Sequence, residues 1–127
     1  MKIALTLMNS AAVRMLIAAA ALASAQLAQA HAYPQHQEPG AGATVSTSQK
    51  EVAIEFDDGL EPAFSSIAVT DAQGKPVTSA KSVIDPADKK HMSVALNALT
   101  PGVYSVAWIA VADDGHRTQG HYSFTVK

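Results

Sequence analysis

Residues 103–111 read VYSVAWIAV, and Tyr104, Val106 and Trp108 fall on one phase of a two-residue period. The run is short and rich in β-branched and aromatic residues, the composition of a strand. Pro101-Gly102 precedes it and Asp113-Asp114-Gly115 follows it, both of them turn signals. As the most apolar strand of the chain it is expected to be central in its sheet. After the Asp-Asp-Gly turn, His116 to Val126 forms a closing strand with Tyr122, Phe124 and Val126 inward.

Working back from this centre, the same alternation recurs. In Lys50 to Phe56, Val52, Ile54 and Phe56 share one face, opposite Glu51, Ala53 and Glu55. Ser65 to Thr70 places Ile67 and Val69 in phase, and His91 to Leu96 does so with Met92, Val94 and Leu96. Asp71-Ala72-Gln73-Gly74 has turn chemistry, so Lys75 to Ser79 is expected to return antiparallel. Asp85-Pro86-Ala87-Asp88 is a further turn. From His31 to Ser48, Pro34 and Pro39 disfavour helix. That segment is expected to be an extended arm or edge strand, ending in a loop at Gly40 to Gly42. About seven short strands with frequent turns and no helix predict an all-β, Ig-like antiparallel β-sandwich with Greek-key connections.

The chain has 127 residues, and residues 1–30 carry the features of a secretory signal peptide. Lys2 and Arg14 give a basic start, and Met15 to Ala23 (MLIAAAALA) is an apolar core. Ala28-Gln29-Ala30 has the small-x-small form that a signal peptidase accepts. The apolar run falls short of the roughly 20 residues needed to span a bilayer. Residues 31–127 are therefore expected to be one soluble domain exported to the periplasm. A cut after Ala25, where Ala23-Ser24-Ala25 fits the same rule, would leave His31 internal.

There is no cysteine, which excludes disulfides, thiolate metal sites and thiol catalysis. All 11 acidic residues lie beyond position 30, whereas Lys2 and Arg14 do not, so the domain is more acidic than the chain's net −2. No Lys/Arg cluster is present, which argues against a nucleic-acid partner. A negative surface suits a cation.

The candidate chemistry lies in the histidines, of which there are five: His31, His36, His91, His116 and His121. Cleavage after Ala30 would give His31 a free α-amine. Amine and imidazole of one residue can then chelate a single ion, filling two adjacent positions of a square-planar Cu(II). His116 would add a nitrogen, and Asp114 or water an oxygen, completing tetragonal N,O coordination. Asp114 and His116 are two apart and share a side in an extended segment. They can face one ion together, or the carboxylate can orient the imidazole. Asp113 lies on the opposing phase. Asp58, in an acidic turn after a core strand, is a lesser candidate ligand. His36 lies on the arm and is expected to be no ligand; His91 and His121 fall on outward phases. Trp108 and Phe56 are expected in the core. Met92 is the only Met beyond the leader, too few for a thioether-rich Cu(I) site.

Taken in order, these residues resemble the CopC family of periplasmic copper-binding proteins. The likeness runs from the histidine after Ala-x-Ala, through Pro39-Gly40-Ala41-Gly42, the Val-x-Ile-x-Phe strand before Asp58 and the Pro-Gly-x-Tyr-x-Val-x-Trp run at Pro101 to Trp108. It ends with Asp-x-His before Gly120 and a Tyr-x-Phe-x-Val finish. The resemblance implies a Greek-key barrel or sandwich with a Cu(II) site at one end, His31, Asp114 and His116 as ligands, and Asp58 where some members carry a Glu near the copper. Members with a Met-rich loop also bind Cu(I). The corresponding region, Asp71 to Asp88, has no Met, so this chain looks like a Cu(II)-only member. Arg117 stands where many members have Pro. The implied role is copper resistance, homeostasis or transport by a monomer, alongside an inner-membrane copper protein of the CopD type. Two other functions are consistent with the residues alone. One is a copper monooxygenase using an N-terminal His brace; the other is a metal-free exported Ig-like module.

Overall fold

The computed structural model describes residues 31–127, and the leader and cleavage expectations for residues 1–30 lie outside them. The described residues form eight strands and no helix: β1 (Pro34–Glu38), β2 (Thr44–Val45), β3 (Glu51–Phe56), β4 (Ser66–Thr70), β5 (Val83–Asp85), β6 (Asp88–Ala95), β7 (Gly102–Val111) and β8 (Arg117–Val126). They build two four-stranded sheets, ordered β1-β3-β6-β5 and β2-β8-β7-β4. Only β5–β6 and β7–β8 are consecutive strands paired in one sheet; the other connections take the chain across or around the sandwich. Among the described residues no helix is long and apolar enough to cross a membrane.

The core is the set of inward phases. From β3 it takes Val52, Ile54 and Phe56; from β6, Met92 and Val94; from β7, Tyr104, Val106, Trp108 and Ala110; from β8, Phe124 and Val126. Strand alternation alone sends these side chains to one side. Trp108 packs edge-on against Phe56 at 5.4 Å between ring centroids, joining the two sheets. Tyr104 stacks on Phe124 at 5.6 Å, and its hydroxyl donates to the Thr100 carbonyl at 2.7 Å, tying the loop before β7 to the core.

Three features depart from the sequence expectations, and a fourth segment meets its expectation in part. Lys75 to Ser79 returns antiparallel, but through the isolated pairs Thr70–Pro76 and Thr78–Leu96 rather than as a continuous strand. Its bonds are split between two partners: Val77 donates to Val69 on β4 (3.0 Å), while Asn97, beyond β6, donates to Val77 (2.8 Å). Pro76 pairs with Thr70 but has no N–H to donate, so the pairing does not extend into a full ladder. Val83–Asp85 is a strand the residue pattern did not mark, because Val83 is exposed on an edge. β6 starts at Asp88 rather than His91. Finally, β2 runs parallel to β8, so the sandwich is not wholly antiparallel.

Candidate metal centre

The β7–β8 turn and the first described residues meet at one end of the sandwich. Ala112 donates to the His116 carbonyl (3.0 Å), and Gly115, at φ 88°, donates to the Ala112 carbonyl (2.9 Å). That left-handed conformation is open to glycine without steric cost. The tight turn brings both oxygens of Asp114 to His116. Oδ1 accepts the His116 amide at 3.0 Å, and Oδ2 meets Nδ1 of the ring at 2.7 Å. The His116 amide, and after it the ring, hold the Asp114 carboxyl below the usual carboxylate range; His31 adds a smaller attraction. With Nδ1 engaged, Nε2 of His116 is the ring nitrogen left for another partner.

Residues 31–33 are fixed to both sheets. Ala32 is fully buried, and its carbonyl accepts the Thr118 hydroxyl of β8. Tyr33 donates to Asp57 Oδ1 at 2.7 Å, and Asp57 returns its own amide to the Tyr33 carbonyl at 2.9 Å. Asp57 directly follows β3, so one short segment is gripped by the end of one sheet and the start of a strand in the other. These bonds leave the His31 ring beside that of His116, with centroids 4.9 Å apart and planes tilted by 49°. The Tyr33 ring lies 6.0 Å from that of His31.

The other candidates sort clearly. Asp58 turns Oδ1 onto the Gly59 amide at 2.8 Å. Asp113 points toward the same loop: a Cβ at Gly59 would stand 3.3 Å from Asp113 Oδ2. His36 is exposed on β1 and His121 is exposed on β8. His91 on β6 meets Glu55 on β3, Nδ1 to Oε2, at 2.8 Å. Trp108 and Phe56 lie in the core, as expected. Among the described residues no three His, Asp or Glu side chains already converge on one point. What the structure brings together here is two neighbouring imidazoles and a carboxylate on one of them; imidazole nitrogens suit a borderline transition metal better than a hard cation.

Two residues that position the site were not marked in the sequence. Thr118 was available as the residue two beyond His116, on the inward phase of β8. Asp57 was visible only as part of a turn, and its partner is 24 positions away.

Comparison with known proteins agrees with this architecture. The CopC domain model matches residues 35–127. Protein YobA of Escherichia coli K12 is 36% identical over 99 residues, covering 77% of this chain and 80% of that protein. The crystal structure of CopC from Methylosinus trichosporium OB3b superposes with a TM-score of 0.71 at 32% identity, covering 76% of this chain and 94% of that one. That of PcoC, a methionine-rich copper resistance protein from Escherichia coli, gives 0.69 at 32% identity, covering 77% and 100%. A family match across the whole sandwich, joined to relatives of this identity and coverage, establishes that the chain belongs to the CopC family.

Proposed function

We propose that this chain is a copper-binding protein of the periplasm, released by cleavage after Ala30, that holds one Cu(II) ion without catalysing a reaction on it. Its function is copper-related, as the copper resistance proteins among its relatives indicate. In this assignment His31 chelates through its α-amine and ring, His116 supplies a third nitrogen, and Asp114 supplies an oxygen or holds the His116 ring in place. Asp58 is the reserve oxygen ligand. The observation that carries the assignment is the 4.9 Å approach of the His31 and His116 rings, at a chain end pinned by Thr118 and Asp57. The absence of Cys, and the burial of the one Met beyond position 30, favour Cu(II) over Cu(I). The copper serves resistance, homeostasis or transport, with an inner-membrane protein of the CopD type as the partner.

The test is a Cu(II) titration followed by EPR on two forms, one beginning at His31 and one with a single Gly before it. A tight tetragonal signal with several nitrogen ligands is expected from the first form only. Equal behaviour of the two would remove the α-amine from the ligand set and the assignment with it.

A further inference from the structure

The outer face of the β1-β3-β6 sheet carries a second group of metal-ligating side chains. His36 on β1 is the direct cross-strand partner of Glu55 on β3, and Glu55 is in turn the direct partner of His91 on β6. Directly paired residues project to the same face of a sheet. That face is the outer one, because the neighbouring Ile54 and Met92 pair is fully buried beneath it. The three residues therefore form one row, imidazole–carboxylate–imidazole, across three adjacent strands. The two histidine backbones stand two strand spacings apart, about 10 Å.

We propose that His36, Glu55 and His91 form a second site, for a borderline divalent ion of the Zn(II) type. Two histidines and a glutamate make a ligand set that Zn(II) accepts, with a fourth position left for water. Half of the site is already in place. His91 Nδ1 and Glu55 Oε2 stand 2.8 Å apart and share a proton. An ion bonded to both at about 2.0–2.1 Å with a tetrahedral angle needs roughly 3.3 Å between them. The ion thus replaces the shared proton with a shift of about half an ångström. The third ligand has to move further. The His36 ring leans toward Glu38, Nε2 to Oε2 at 4.0 Å, and its side chain is 75% exposed, so little packing opposes its turning to Glu55. With His36 turned to Glu38, no three such side chains converge among the described residues. The site rests on none of the residues assigned to Cu(II) above.

The experiment is a Zn(II) titration of the protein carrying both His31→Ala and His116→Ala, in which both imidazoles of the Cu(II) assignment are removed, by calorimetry and by NMR of the imidazole protons. One Zn(II) per chain is expected, with the His36 and His91 ring signals shifting together and His121 unmoved. Adding His36→Ala, Glu55→Gln or His91→Ala, each checked for native circular dichroism, should weaken Zn(II) by about tenfold or more. No Zn(II) uptake by the protein with His31→Ala and His116→Ala would overturn the site. So would uptake that leaves the His36 and His91 signals in place, or that survives all three substitutions.

Discussion

Of the chain's glycines, Gly120 is the one whose replacement by alanine this fold should tolerate least. Gly120 pairs directly with Trp108 across the β7–β8 ladder, on the inward phase. A Cβ there would lie 2.6 Å from Cζ2, 2.8 Å from Cε2 and 3.0 Å from Nε1 of the indole. Ordinary contact is about 3.5–4.0 Å, so the ring must retreat by roughly 1 Å. Its retreat is restricted, because Trp108 is 7% exposed and its ring meets that of Phe56, 1% exposed. Overpacking of this kind costs about 1–3 kcal/mol. Removing glycine from a strand returns about 0.5–1 kcal/mol. The net centres on about 1 kcal/mol (range about 0–2.5), which for a domain of this size lowers Tm by roughly 4–8 °C at the centre of that range. Thermal unfolding by circular dichroism reads the loss. Trp108 is the only tryptophan, so its emission reports the ring displacement directly. Gly40→Ala is the control, since its nearest neighbour would be at 3.6 Å, and should change Tm little. A Gly120→Ala protein with wild-type Tm and emission would refute the packing argument.

Thr118→Val keeps the shape of β8 but frees the Ala32 carbonyl; Cu(II) affinity should fall with no ligand removed, as a competition titration would show. Cu(II) in excess should raise Tm by binding only the folded state; His116→Ala should abolish most of that rise and His91→Ala little of it. Tyr122 has a buried hydroxyl with no partner, and burial, then the Glu38 charge, push its pKa from 10.0 up to about 12. The folded state thus favours the protonated phenol, so this contribution is intact below pH 10 and lost as pH rises through 12. Tyr122→Phe should remove that alkaline sensitivity and leave neutral-pH stability equal or higher, measured by urea unfolding across pH.

The strands most readable from the sequence are those whose two faces differ in polarity. Val52, Ile54 and Phe56 against Glu51 and Glu55 declare β3, and Tyr104, Val106 and Trp108 declare β7. Val83–Asp85 is an edge strand with an exposed valine, so its pattern carries no such contrast. The Asp114–His116 pair was legible because its geometry is local, set by a turn and a spacing of two. The hold on residues 31–33 was not, because Thr118 lies 86 positions from Ala32 and only the completed sandwich brings them together. The His36–Glu55–His91 row was invisible for the same reason. Each histidine looks like a lone surface residue until strand order and register are known.

Small domains often use disulfides to limit the freedom of the unfolded chain, and this one has no cysteine to make them. The contact between His31 and His116 offers the same topological service. An ion shared by those two rings closes a loop of nearly the whole domain. Cross-links over long loops remove the most conformational entropy from the unfolded state. Because Thr118 and Asp57 already order residues 31–33, the ion need not meet the entropic cost of arresting a loose segment. A bound metal would then act as a reversible staple, present while the ion is held and gone when it is released. Resistance to proteolysis would rise and fall with metal occupancy.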